Sequence, residues 1–110
     1  MKGSFEDREK GFEAKWAHDE DLRFRTTARR NKLLGHWAAE QMGLSGAAAE
    51  SYVNVLLDLE VRGARDSEMV AKIHTDLEAR NSALSEHVIA RKMEELLAEA
   101  AGQIMSEPHA

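Results

Sequence analysis

The chain has 110 residues, no cysteine, one proline and a formal net charge of −5, with 43% hydrophobic and 32% charged residues. That length fits one domain with a modest core, and the lack of cysteine excludes disulfide, zinc-thiolate and thiol-nucleophile chemistry. An acidic chain also lacks the broad basic face with which a general nucleic-acid binder displaces counterions from phosphates.

Abundant Ala, Leu, Glu, Lys and Arg, with few β-branched runs, predict an all-α chain. No apolar run approaches the ~20 residues that cross a bilayer. Met1-Lys2-Gly3-Ser4 does not lead into the apolar stretch of a signal peptide. A cytoplasmic chain without membrane insertion is expected. The charge is uneven: residues 1–19 carry four basic and five acidic groups, residues 20–32 five and two, and residues 33–110 six and thirteen. A short basic zone therefore sits in front of an acidic body.

Residues 1–18 hold Phe5, Phe12 and Trp16, half of the chain's six aromatic residues. Their spacing of i, i+7 and i+11 places them in one narrow sector of a helix. Gly11 costs about 1 kcal/mol in a helix interior, and an isolated helix this short is marginal in water. The segment is expected to be a mobile, partly helical arm that becomes helical when bound. Two uses fit the ridge: anchoring in a partner's groove, or folding back over the bundle near Leu22, Leu33 and Trp37.

Asp19 offers a fresh N-cap, with Glu20 and Asp21 in the first turn where the helix dipole favours negative charge. The first secure helix is predicted over 19–42, closed by Gly43 with Leu44 behind it. Ser45 starts a helix over 46–62 with a stripe of Ala48, Ala49, Tyr52, Val55, Leu56 and Leu59, widened by Val53 and Leu57. Gly63 stops it. Asp66 or Ser67 caps a third helix, 67–80, carrying Met69, Val70, Ile73 and Leu77, and Asn81 closes it. Ser85 caps the last helix, 86–105, with Ile89, Met93, Leu96, Leu97, Ala100 and Ile104 on one face. Residues 107–110 are expected to be a disordered tail after these helices. Short connections between amphipathic helices predict an antiparallel four-helix bundle over 19–106.

The helix at 19–42 differs from the others. Its expected core stripe is Phe24, Ala28, Asn31, Leu34, Gly35, Ala38 and Met42, which puts an amide in an apolar face that must be hydrogen-bonded. Gly35 in that stripe allows close approach of a backbone or a ligand. Leu22, Leu33 and Trp37 are expected on the opposite face. Between the two run basic flanks, Arg25, Arg29, Lys32 and His36 on one side and Arg23 with Arg30 on the other.

Cations at this spacing can clamp phosphates, Arg as a planar fork and Lys as a point charge, with Trp37 placed to stack a base. The alternative is a solvated face that pairs with the acidic body. No glycine-rich phosphate loop accompanies the row. The five histidines show no His-x-x-x-His or His-Glu-x-x-His spacing. The carboxylates Glu94, Glu95 and Glu99 read as a solvated outer face, and the serines sit at caps and turns with no base in company. Nothing in the residues points to an enzyme or a metal site.

The runs Phe5-Glu-Asp-Arg-Glu, Lys15-Trp-Ala-His-Asp, Leu22-Arg-Phe-Arg, Ala28-Arg-Arg-Asn-Lys-Leu-Leu-Gly and Trp37-Ala-Ala closely resemble the zeta subunit of the F-type ATP synthase of alphaproteobacteria. Ala90-Arg-Lys-Met-Glu-Glu-Leu-Leu-Ala-Glu-Ala is similar to that family's last helix. The resemblance implies a four-helix-bundle regulatory protein, monomeric when isolated, that inhibits ATP hydrolysis by the enzyme's soluble catalytic head. It implies that the N-terminal segment, here Phe5, Arg8, Phe12, Lys15 and Trp16, enters an interface between catalytic and noncatalytic subunits of the head, with the protein peripheral at the inner membrane. It also implies ADP or ATP as a regulatory ligand on the bundle, no cofactor being required. Charge then nominates Arg25, Arg29, Arg30 and Lys32, with Trp37, as the nucleotide contacts. The alternative function is a free-standing helical nucleotide-sensing or protein-interaction module whose front segment only closes the bundle.

Overall fold

The computed structural model describes residues 20–107, and these form four helices with no strand among the described residues. They are α1 (Glu20–Gln41), α2 (Gly46–Val61), α3 (Asp66–Ala79) and α4 (Glu86–Ser106). The expected arm, with Phe5, Arg8, Phe12, Lys15 and Trp16, and the expected cap at Asp19 lie outside the described residues.

The connections are short because each of the first three helices is closed tightly. At Gly43, at Gly63 and at Asn81 the chain turns left-handed, with φ of 75°, 88° and 62°. In each case that residue's own amide and the following one bond back to the last turn, as where Ser82 N–H reaches Leu77 O at 2.9 Å and Asn81 N–H reaches Glu78 O at 3.0 Å. These are Schellman closures, which satisfy carbonyls that a helix end leaves open. At the start of α4 the Ser85 hydroxyl accepts from Val88 N–H at 3.2 Å. The start of α3 departs from expectation: Arg65 is the N-cap residue and Asp66 the first helical one. An arginine side chain has no acceptor to offer, so the end is held from the other side, where the Glu68 carboxylate accepts from Arg65 N–H at 3.0 Å.

Helix α1 is the hub, packing along both α2 and α4, while α3 closes on α4 and touches α1. Cross-contacts fix the directions. Asn31 meets Glu60, Gly35 meets Val53 and His36 faces Glu50, so α2 runs against α1. Arg29 meets Gln103 and Arg25 meets Glu107, so α4 does too. Leu34, Leu56, Met69, Ile73, Leu77 and Ile89 fill the middle, with Met93 and Leu96 from α4. Each large aliphatic side chain buried there contributes about 1.5–3 kcal/mol.

Two stripes lie rotated from their expected positions. On α1, Phe24 is 63% exposed, whereas Thr26, Arg30 and Asn31 are buried with Leu34, Gly35, Ala38 and Ala39. Sandwiching between two helices gives α1 a wide buried face, and its polar members are all satisfied. For the same reason Leu33 and Trp37 form no separate outer face but pack, half-buried, against the core. On α2, Val53 and Leu56 are the buried pair, while Val55 is 42% exposed and Ala48 is exposed. On α4, Leu97 is 40% exposed beside the buried Met93, Leu96 and Ala100.

Candidate functional site

The polar residues of α1 fall into three groups, and the five expected nucleotide contacts are divided among them and the exposed Lys32. The first group is buried. Arg30 is 4% exposed and Asn31 1%. The Arg30 fork donates to both oxygens of Asp66, at 3.2 and 2.9 Å, and its Nε donates to Asn31 Oδ1 at 3.0 Å. Asn31 Nδ2 in turn donates to Glu60 Oε1 at 2.9 Å. This chain of bonds joins α1 to the end of α2 and the start of α3. Among the described residues no buried side-chain nitrogen or oxygen is left without a partner. Asp66, freed from the capping role expected of it, is therefore the counter-ion of a buried guanidinium. Arg30 does not belong to an open basic flank, because three of its donors are already committed.

The second group lies on the surface between α1 and the end of α4. Arg25 and Arg29 both close on the Glu107 carboxylate, at 3.6 and 2.6 Å, and Arg29 also donates to Gln103 Oε1 at 3.0 Å. Glu107, expected in a disordered tail, is instead the residue that ends α4. Its own N–H bonds back to Gln103 O and Ile104 O. The third group is a notch of about 160 Å³ where Trp37 meets Val88, Arg91, Lys92 and Glu95. Lys32 is exposed. Arg25 and Arg29 are brought together; Trp37 lies two turns further along α1, beside cations of α4.

A larger open groove, about 480 Å³, runs between α3 and α4; Val70, Ala90, Met93 and Leu97 line it together with Arg30, Ser67 and His87 and the carboxylates Asp66, Glu86 and Glu94. Arg30 is the one arginine in this lining, and its donors are already bonded to Asp66 and Asn31. On the far side of the bundle the Tyr52 hydroxyl donates to Asp76 at 2.8 Å. Burial, then the hydrogen bond to and charge of Asp76, hold its phenol well above the usual tyrosine range. Among the described residues no group of three or more His, Asp or Glu can hold a metal ion, and no helix is long and apolar enough to cross a membrane.

A family model described as ATPase inhibitor subunit zeta matches residues 1–103. The chain belongs to the ATPase inhibitor subunit zeta family. No curated protein is matched. Membership makes the chain an inhibitory regulatory subunit of the ATP synthase, and the fold agrees with an all-α four-helix bundle. Sequence reasoning nominated Arg25, Arg29 and Trp37 but missed Glu107, Arg91 and Lys92, which stand on α4 and reach α1 only through the fold. It also missed Glu60 and Asp66 as the partners of the buried pair.

Proposed function

We propose that this chain inhibits ATP hydrolysis by the catalytic head of an F-type ATP synthase through residues 1–18, with the bundle remaining outside the head at the cytoplasmic face of the membrane. The observation that carries this reading is the extent of the family match, which takes in the aromatic segment as well as the bundle. The ridge of Phe5, Phe12 and Trp16 supplies apolar anchors, and Arg8 and Lys15 pair at the rim of the groove. The segment acts as a wedge in an interface that opens and closes during rotary catalysis. Ordering it opposes binding, so a few anchors dominate affinity.

The same reading gives the bundle an adenine nucleotide as regulatory ligand. Phosphate recognition falls to Arg25 and Arg29, which are partly exposed; Arg30 is withdrawn from the set because burial and Asp66 occupy it. The experiment is ATP hydrolysis by isolated alphaproteobacterial catalytic heads, with the full chain and with a chain starting at Asp19, which keeps all four helices. The full chain lowers hydrolysis and the shortened one does not. Equal inhibition by the two would refute the wedge and leave the family assignment intact.

A further inference from the structure

Glu107 holds a place that suits a phosphate oxygen. Arg25 and Arg29 stand one turn apart on α1, and one terminal nitrogen of each faces the Glu107 carboxylate, at 3.6 and 2.6 Å. The contact to Gln103 aims Arg29 at the end of α4. A planar guanidinium matches phosphate and carboxylate geometry equally well, and phosphate carries the larger charge. The contrast is Arg30, a buried side chain whose donors are already committed to Asp66 and Asn31. Here the side chains of Arg25, Arg29 and Glu107 remain 40%, 30% and 37% exposed, so a ligand reaches them without opening the core. Glu107 has already left the helix, with φ −74° and ψ 140°, so its side chain can swing away without unwinding a turn of α4. The pair also belongs to residues 20–32, which carry five basic and two acidic groups in an otherwise acidic chain.

We propose that Arg25 and Arg29 form a phosphate site whose resting occupant is Glu107, so that a di- or triphosphate binds by displacing that carboxylate. This rests on the nucleotide reading above and adds to it the cations that hold the phosphate and the internal anion it must compete with. Ligand binding then releases the link between the first turns of α1 and the end of α4, next to the point where residues 1–19 join the bundle.

The test titrates ADP and, separately, inorganic pyrophosphate into the full chain, followed by amide and arginine Nε–Hε NMR signals. Glu107→Gln removes the charge while keeping the size and an acceptor. It is expected to bind both probes about three- to fivefold more tightly, the range that loss of an exposed ion pair allows. Arg29→Gln, and the more exposed Arg25→Gln, each weaken binding in the parent and in the Glu107→Gln background. Equal affinity of the parent and Glu107→Gln would overturn the displacement. Ligand shifts at Trp37 and Arg91 without movement at Arg25 and Arg29 would overturn the site but leave nucleotide binding standing. Failure of every variant to bind either probe would remove both.

Discussion

Gly35→Ala sets two known terms against each other. A Cβ built on Gly35 lies 3.0 Å from Val53 Cα and 3.1 Å from Val53 Cγ2. The nearer atom is backbone, so relief requires α2 to move away from α1 rather than a side chain to turn. Overpacking of this kind costs about 1–3 kcal/mol, while replacing glycine by alanine inside a helix returns about 1 kcal/mol. The expected net is a destabilisation of about 1 kcal/mol. Gly102 on α4 is the control, because it is exposed and a Cβ there meets nothing within 4 Å. Gly102→Ala is expected to stabilise by up to about 1 kcal/mol from propensity alone. The difference between the two variants isolates the overpacking term. Urea denaturation measures it directly, and in thermal melting each kcal/mol corresponds to about 4–8 °C for a domain of this size. Equal stabilisation by both substitutions would refute the close approach of α1 and α2.

Asn31→Leu keeps the shape of the side chain but strips Arg30 Nε and Glu60 of their partner. It is expected to cost about 1–3 kcal/mol in urea denaturation, and a neutral result would show that the network contributes nothing to the fold. Tyr52 bears on pH: its folded pKa is raised, so the stability linked to its protonated form is complete below the unfolded value of about 10 and is lost as pH rises above it. Tyr52→Phe should flatten that part of the stability profile, and an unchanged alkaline slope would count against the Asp76 bond. For the arm, Phe5→Ala or Trp16→Ala should raise the concentration needed for half inhibition by tenfold or more, as loss of an anchor worth about 2 kcal/mol does, while thermal stability stays put. A melting shift as large as that of Leu96→Ala would mean that these aromatics belong to the core instead.

Three C-terminal helix ends and the start of α4 were legible because their signals are local, whereas Ser45 makes no side-chain cap bond and Arg65 stands where Asp66 or Ser67 was expected. Gly43, Gly63 and Asn81 turn left-handed and Ser85 caps, each where residue chemistry alone predicts it. The stripe on α3 was legible for a similar reason, since Met69, Val70, Ile73 and Leu77 are apolar and all buried. The face of α1 was not. Ranking positions by hydrophobicity drew Phe24 inward, put Arg30 on a flank and passed over Thr26, whereas Phe24 is exposed and both Thr26 and Arg30 are buried. A signal was present in the small residues. Gly35, Ala38 and Ala39 mark where another helix approaches closely, and stepping back from Ala38 by four residues gives Leu34, Arg30 and Thr26, which are all buried. What no local pattern supplies is the partner 36 residues away that makes burial of Arg30 tolerable. Glu107 escaped for the same reason: only the antiparallel return of α4 brings it to Arg25 and Arg29.

Burial of Arg30 also bears on how α1 is held against its neighbours. A buried guanidinium left without its counter-ion is strongly unfavourable, so α1 cannot rotate or slide along α2 without also breaking the bonds to Asp66 and Glu60. Close packing at Gly35 blocks the same motions through sterics. Helix α1 is therefore fixed at its middle by polar bonds from α2 and α3, and nearer its start Arg25 and Arg29 clasp Glu107 at the surface. The middle of α1 thus holds the three helices in register through both polar bonds and close packing.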